Sequence, residues 1–259
     1  MKKYITLAVV FLVAVVTLTA QVADMTNQAK ELYNAGNKLL KSGDYNGAIE
    51  KYDEALKNSE DYRILYQKSI ALKKLRKYKD AEGILLRCIK ANPDFPSAYN
   101  GLGTTYYALK EYQKAIDAFK NFMEKSDKVK LKKRAKLYLS IAYTKLADVE
   151  KRNGNKDKAL KALNEAVKFN PYDASYLMMA ELYTDKGEFQ KALDAANNAL
   201  KYRGKRSKIS KGAVYYYKGL ALKGLGKKDE AKKSFKLALT DRQYKQNAKY
   251  ELKMLKLNR

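Results

Sequence analysis

The side chains that most often carry out catalysis are absent from this sequence or follow the spacing of solvated helix faces. There is no histidine, which removes the commonest general base and the commonest protein metal ligand. Carboxylates such as Glu50, Asp53 and Glu54 lie along helix faces, and no acidic cluster has the spacing of a calcium-binding loop. The segment from Gly219 to Gly226 lacks the preceding strand that a phosphate-binding loop requires. We therefore expect no catalytic residue, no metal site and no cofactor.

Binding is the chemistry that remains, and basic and aromatic side chains are the groups available for it. The chain carries 54 Lys and Arg against 28 Asp and Glu, a net charge of +26, and it contains 22 tyrosines. Solubility requires a net charge of only about 2 to 8 for a small domain. The excess is concentrated in Lys125–Lys136, with seven basic residues and one acid, and in Lys201–Lys211, with no acid. These side chains favour anionic partners.

The elements that position these side chains are marked by six alanines that recur at a period near 33 residues. They are separated by 33, 34, 44, 33 and 39 residues, and we call them the ladder alanines: Ala48, Ala81, Ala115, Ala159, Ala192 and Ala231. The frame around them is most complete in the third copy: Tyr99-x-x-Leu102-Gly103-x-x-Tyr106, then Ala115-x-x-x-Phe119. A small residue in a first helix and an alanine in a second helix let the two backbones approach closely where the helices cross.

This frame resembles the tetratricopeptide repeat, a helix–turn–helix unit of about 34 residues. The resemblance covers residues 27–241 and implies an all-α, right-handed superhelical solenoid of about six helical hairpins. Within an array over residues 21–241, the predicted repeats lie near 29–62, 62–95, 96–129, 135–171, 173–206 and 212–241. Four turn glycines are predicted to end helices in the left-handed conformation: Gly43, Gly154, Gly187 and Gly226. The amphipathic segment 242–259 is predicted to cap the array.

The first twenty residues are predicted to be a signal peptide rather than part of the fold. Met1-Lys2-Lys3 is basic, residues 5–18 form an uncharged apolar run, and Ala20 offers a small residue for cleavage. The run is short for a membrane-spanning helix, which needs about 20 residues. An uncleaved inner-membrane anchor is the alternative, and both interpretations place the repeats outside the cytoplasm. The expected location is periplasmic or secreted.

In tetratricopeptide proteins the first helices line a concave groove that binds extended peptides or single helices. The resemblance places nine candidate partner-binding residues there: Tyr33, Asn37, Tyr66, Lys73, Lys74, Tyr107, Tyr143, Tyr216 and Lys223. Tyrosine offers a large, rigid contact area with a polar tip, but the same rings could serve only packing between repeats, and both interpretations stay open. The clamp with which chaperone-binding members grip a C-terminal carboxylate is absent. Tyr33 replaces its lysine, and Gln67, Ser97 and Gly101 stand at further clamp positions.

The two basic segments coincide with the two longer intervals between ladder alanines, where connections between repeats are expected. Such connections emerge on one edge of a solenoid, so the segments are predicted to form a basic edge: Lys130, Lys132, Lys133, Arg134, Arg203, Lys205, Arg206 and Lys208. One interpretation is a solvated surface, and the other is docking on an anionic membrane, lipopolysaccharide, glycan or acidic protein. Nucleic acid matches the sign of the charge but not the expected compartment.

The expected function is a non-catalytic scaffold of the bacterial cell envelope that binds a peptide or helix of a partner protein in its groove. The partner is expected to be an acidic or tyrosine-compatible segment of an envelope complex. The alternative function is an envelope-surface binder that uses the basic edge.

Overall fold

The computed structural model describes residues 25–205 and 207–257, and every regular element in these ranges is an α-helix. The predicted signal peptide and Arg206 lie outside the described residues. Thirteen helices follow one another in the described part of the chain, and the first twelve pair as six helix–turn–helix hairpins. The predicted all-α solenoid of six hairpins and a closing helix is therefore confirmed.

Each hairpin consists of a first and a second helix joined by a short turn. The first helices are α1 (Asn27–Ser42), α3 (Tyr62–Lys74), α5 (Pro96–Ala108), α7 (Val129–Arg152), α9 (Asp173–Asp185) and α11 (Lys211–Gly224). The second helices are α2 (Tyr45–Leu56), α4 (Tyr78–Ala91), α6 (Tyr112–Glu124), α8 (Lys156–Phe169), α10 (Phe189–Lys201) and α12 (Lys228–Ala238). The closing helix is α13 (Lys245–Leu257).

The first helices form the more closely spaced layer of the stack. Helix α3 contacts both α1 and α5, and α9 contacts α11, whereas no two second helices within the described residues make contacts of that extent. In a curved stack the layer with the closer spacing lies on the inside. We therefore call the first helices the inner helices and the surface they share the groove.

Within a hairpin, a small residue of the first helix packs against a larger residue of the second helix. All six ladder alanines are fully buried. Where an inner helix carries glycine at the crossing, an aromatic ring four residues after the ladder alanine covers it: Gly36 with Tyr52, Gly103 with Phe119, Gly219 with Phe235. A Cβ atom added to any of these glycines would lie 2.5 to 2.6 Å from a ring carbon. The glycine is thus required by the ring that packs on it.

The turns inside the hairpins share one backbone conformation. All four predicted turn glycines have positive φ, between 73° and 89°. The second and third hairpins make the equivalent turn without glycine, because Arg76 (φ 59°) and Lys110 (φ 62°) adopt the left-handed conformation themselves. This conformation costs a residue with a side chain roughly 1–2 kcal/mol.

The first long interval between ladder alanines is helical, which corrects the prediction that its basic segment is a connection. Helix α7 has 24 residues, against 13 in α5. All eleven extra residues precede the part that aligns with α5, because α7 and α5 both end seven residues before their ladder alanine. Lys130, Lys132, Lys133 and Arg134 therefore lie in the first two turns of a helix. The run contains no glycine or proline, and Lys, Arg, Leu and Ala are good helix formers, so the helix begins early.

The closing helix covers the apolar surface that the sixth hairpin would otherwise expose. Ala248 and Leu255 of α13 are buried in one cluster with Leu222 and Phe235. On the groove side, the Glu251 carboxylate accepts from Lys223 Nζ at 2.6 Å. Helix α13 therefore takes the place that the inner helix of a seventh repeat would occupy.

Candidate functional site

The middle of the groove, formed by α3, α5 and α7, is free of acidic side chains over most of its length. Helices α3 and α5 contain no Asp or Glu, and the first acidic residue of α7 is Asp148. Basic residues lie on the same helices, among them Lys73, Lys74 and Arg134. Within a groove of one sign the field is focused, so this section attracts anions.

An apolar pocket of about 260 Å³ opens in this section, between α5 and α7. Its walls are the side chains of Thr104, Tyr107, Phe119, Tyr138 and Ile141. Drug-sized ligands use pockets of about 300–1,000 Å³, so this one is suited to one or two amino-acid side chains. Aromatic walls with a few polar groups are also typical of the anchor pockets in protein interfaces.

Lys73 lies at the edge of the pocket, where its ammonium group contacts the wall residue Thr104. Its ammonium group donates to Thr104 Oγ1 and to the Gly101 carbonyl oxygen at 3.4 Å. Within the described residues no carboxylate pairs with it, and its side chain is half-buried. Burial without a counter-charge lowers the pKa of Lys73 to about 8. The groove therefore holds a desolvated cation beside an apolar pocket.

The three central tyrosines of the predicted groove are half-buried and pack on aromatic neighbours. The ring centroid of Tyr66 lies 5.2 Å from that of Phe95, edge to face, and Tyr143 stacks on Phe169 at 5.9 Å. Tyr107 makes an edge contact with Tyr112 at 5.5 Å while lining the pocket. These rings are fixed by packing between helices and still present part of their surface to the groove.

The predicted groove residues at the two ends are held by the protein itself. At the N-terminal end, Asn37 Oδ1 accepts from the Tyr52 hydroxyl at 2.8 Å, and the Tyr33 ring lies 6.3 Å from the Tyr52 ring. At the C-terminal end, Tyr216 lies 5.1 Å from Tyr244 of the last connection. Lys223 is paired with Glu251, as described above. The candidates at the two ends thus contact Tyr52, Tyr244 and Glu251, whereas Lys73 and Tyr107 lie beside the pocket.

The predicted basic edge is divided between different environments. Lys130, Lys132 and Lys133 are exposed on α7, and Lys205 and Lys208 are exposed in the connection before α11. Arg203 is half-buried and donates through Nη2 to the Ile209 carbonyl oxygen at 3.2 Å. Arg206 lies outside the described residues.

Arg134 belongs with the groove rather than with the edge. Its guanidinium lies 5.8 Å from the centroid of the Phe122 ring. It also lies close enough to Tyr66 for its charge to act on that hydroxyl. Burial raises the pKa of Tyr66, and the hydrogen bond with Ser97 and the charge of Arg134 offset part of this rise. Arg134 precedes Tyr138 by one helical turn, so both lie on the same face of α7.

Of the five walls of the pocket, only Tyr107 is among the nine candidate partner-binding residues, and Thr104, Phe119, Tyr138 and Ile141 are not. Leu139 of α7 is fully buried, whereas its neighbour Tyr138 lines the pocket. Tyr138 lies in the additional N-terminal turns of α7, which a fixed 34-residue frame does not contain. The observable signal was the 44-residue interval itself.

The described residues contain neither a candidate membrane span nor a candidate metal site. No helix among them is both long enough and apolar enough to cross a membrane. No group of three or more His, Cys, Asp or Glu side chains within the described ranges is placed to hold a metal ion.

Comparison with known proteins identifies the repeat unit. Family models described as tetratricopeptide repeat match residues 29–62 and 66–122. The chain contains tetratricopeptide repeats. A further model, described as a domain of unknown function (DUF3856), matches residues 129–249, the part that begins with the long α7.

Curated relatives match the chain over a limited region. Heat shock protein STI1 of Saccharomyces cerevisiae is 31% identical over 102 residues, which is 39% of this chain and 17% of that protein. The Hsp70-Hsp90 organizing protein of Triticum aestivum is 32% identical over 96 residues, 35% of this chain and 16% of that protein. The chain therefore spans less than a fifth of the length of either relative.

Solved structures share the fold at low identity. MamA from Desulfovibrio magneticus RS-1 superposes with a TM-score of 0.50 at 21% identity, over 72% of this chain and 100% of that one. YrrB, described as a TPR protein with an unusual peptide-binding site, superposes with a TM-score of 0.51 at 16% identity, over 77% and 97%. At these identities the likeness shows the tetratricopeptide solenoid alone.

Proposed function

We propose that this protein is a non-catalytic scaffold that binds a segment of a partner protein against α3, α5 and α7. The observation that carries the proposal is the acid-free middle of the groove, where a 260 Å³ apolar pocket lies beside the unpaired ammonium of Lys73. Tetratricopeptide repeats mediate protein–protein interaction, and YrrB, which has the same fold, is described as having a peptide-binding site. The repeats of this chain supply the same kind of inner surface.

Capture of a partner from the native cell extract tests this function. A Lys side chain at position 141 would place a charge in the pocket, so Ile141→Lys should reduce capture at least tenfold. Leu86→Lys is the matched control, because Leu86 lies on the second helix α4 with 48% of its surface exposed. It should capture as the wild type does. Equal capture by both variants would show that the partner binds elsewhere.

An extracytoplasmic location in the bacterial cell envelope is part of the proposal. It rests on the basic, apolar and small-residue order of residues 1–20. Mass determination of the protein isolated from cell fractions tests it, with cleavage after Ala20 and recovery with the periplasm as the expected result. Recovery at full mass from the inner membrane would favour the uncleaved anchor.

Docking through the basic edge is the second candidate function, and the start of α7 favours it. Lys130, Lys132 and Lys133 are exposed at a helix N-terminus that has no acidic residue in its first turn. Replacing Lys132, Lys133, Lys205 and Lys208 by Glu should abolish binding to vesicles of anionic lipid if the edge docks there. Unchanged vesicle binding would leave the edge as a solvated surface. Retained partner capture by the same variant would assign groove and edge to different tasks.

A further inference from the structure

Three lysines occupy the same position in different repeats. Lys73, Lys151 and Lys223 each lie eight residues before the ladder alanine of their repeat, near the end of an inner helix. Because the repeats share one frame, each of these lysines meets the same region of the next inner helix. The chain therefore contains its own internal comparison for Lys73.

Two of the three lysines are neutralised by a carboxylate of the next inner helix. Lys151 Nζ lies 2.5 Å from Glu181 Oε2, and Lys223 Nζ lies 2.6 Å from Glu251 Oε2. Both ion pairs are partly shielded from solvent, and Glu251 is itself buried. A lysine at this position thus has a carboxylate on the following helix in the fourth and sixth repeats.

Lys73 meets a hydroxyl where the equivalent lysine meets a carboxylate. Thr104 and Glu181 each lie eleven residues before their ladder alanine, so Thr104 is the counterpart of Glu181. Thr104 Oγ1 already donates to the Gly101 carbonyl oxygen at 2.9 Å, and it can accept from Lys73 but brings no charge. An ammonium group has three donors, which leaves one for a ligand.

No other side chain around Lys73 supplies the missing charge. Helix α3, which carries Lys73, and helix α5, which Lys73 contacts, contain no Asp or Glu. The acid of α1 is the exposed Glu31, and α7 has no acid before Asp148. The pKa of Lys73 is lowered to about 8 by burial with no charged group offsetting it, which agrees with the geometry.

We propose that the carboxylate missing at Lys73 is supplied by the bound partner segment, with an adjacent apolar side chain of that segment in the pocket of Thr104, Tyr107 and Ile141. This rests on the proposed function and names the chemistry that the groove recognises: an acidic residue next to an apolar one. The pocket beside the ammonium distinguishes such a peptide from a simple anion, because an inorganic ion would leave the apolar walls uncovered. The carboxylate could belong to an Asp or Glu side chain or to the C-terminus of the segment.

The variant that tests this moves the carboxylate of the fifth repeat into the third. Thr104→Glu should pair with Lys73 as Glu181 pairs with Lys151, and Thr104→Gln is its uncharged control of the same size. Random twelve-residue peptides displayed on phage would be selected on the full chain. We expect the selected peptides to carry Asp or Glu beside an apolar residue.

Affinities of the synthetic peptides then decide the assignment. Loss of a charge-assisted contact weakens binding about 10- to 100-fold, so this loss is expected for Thr104→Glu and for Lys73→Met. Thr104→Gln changes the same pocket wall but leaves the Lys73 charge free, so it should bind the peptides at least about tenfold more tightly than Thr104→Glu does. Comparing the affinities of peptides with free and with amidated C-termini distinguishes a terminal carboxylate from a side-chain carboxylate. Circular dichroism checks that each variant is folded.

The pH dependence provides a second readout. A bound carboxylate favours the charged ammonium, so the affinity should be constant below pH 8 and fall as Lys73 deprotonates above it. Lys73→Arg keeps its charge throughout and should bind independently of pH over this range.

The outcomes separate this inference from the proposed function. Peptides without acidic residues, or acidic peptides that bind Thr104→Glu as well as wild type, would overturn the role of Lys73. If those peptides still failed to bind Ile141→Lys, the groove would remain the binding surface. Selection that enriches no peptide, or only peptides indifferent to Ile141→Lys, would overturn both.

Discussion

At the scale of single residues, the hairpins depend on a glycine that leaves room for an aromatic ring. Gly219 lies under Phe235, and an added Cβ would be 2.6 Å from Phe235 Cε1. Phe235 is fully buried, so it cannot turn out to solvent. The fourth repeat solves the same contact with Ala147 and Leu163, which occupy the two positions and are buried in one cluster. Small and large residues are thus exchanged as pairs.

This pairing predicts that Gly219→Ala destabilises the protein although alanine is the better helix former. Overpacking costs about 1–3 kcal/mol, and denaturant unfolding measures it. Adding Phe235→Leu should recover part of the loss, since it recreates the pair of the fourth repeat. Gly83→Ala is the control, because nothing lies within 4 Å of a Cβ there and the helix should gain about 1 kcal/mol. Destabilisation by both alanines would contradict the steric explanation.

Lys73 and Lys223 should respond in opposite directions to the same substitution. Lys73→Met removes a desolvated charge with no carboxylate partner and should stabilise the protein at pH 7 by about 1–3 kcal/mol. Lys223→Met leaves the buried Glu251 unpaired and should destabilise it. Between pH 8 and the ordinary pKa of 10.5 only the unfolded wild type keeps the Lys73 proton, so wild-type stability rises relative to Lys73→Met. Thermal unfolding at pH 7 and pH 9.5 measures both effects. Loss of stability in both variants would contradict the unpaired state of Lys73.

The repeat frame predicted residue positions well where the backbone or the helix crossing allows only one kind of side chain. The buried ladder alanines and the turn glycines follow from the frame, because only small side chains fit a crossing and glycine enters the left-handed region most easily. The pocket did not follow from it. Its walls come from three helices, and Tyr138 lies in the additional N-terminal turns of α7.

At the scale of elements, two of the six hairpin turns carry strain that the others avoid. Arg76→Gly and Lys110→Gly should each stabilise the protein by about 1 kcal/mol, since glycine has no Cβ penalty at positive φ. Arg76→Ala removes the same charge without this freedom and should bring no gain. Midpoints of thermal unfolding compare the three variants. A gain from alanine equal to that from glycine would mean that charge, not backbone conformation, sets the effect.

Helix α7 shows why the element boundaries were only partly predictable. The eleven extra residues of α7 lie at its N-terminal end and contain no glycine or proline, so the inner helix begins at Val129 instead of leaving a longer connection. The interval gave the number of added residues but not their conformation. The second long interval differs, because there α10 ends at Lys201 and α11 begins only at Lys211.

At the scale of the whole molecule, the array is a stack in which each repeat is stabilised by its contacts with the adjacent repeats. Ala248 of α13 is fully buried against the sixth repeat, so Ala248→Lys should expose that repeat. Hydrogen exchange should then accelerate most in α11 and α12 and least in α1 and α2. Tyr250→Lys, at a side chain that is 60% exposed, is the control and should leave exchange unchanged. Uniform acceleration along the chain would indicate one cooperative unit instead.

In the proposed complex, a partner segment lies across α3, α5 and α7 of the groove. Photo-crosslinking tests it most directly, with a benzophenone side chain placed either at position 107, in the wall of the pocket, or at position 86, on the second helix α4. Illumination of the native complex should join the partner to position 107 and not to position 86. Crosslinks at position 86, with none at position 107, would contradict the account.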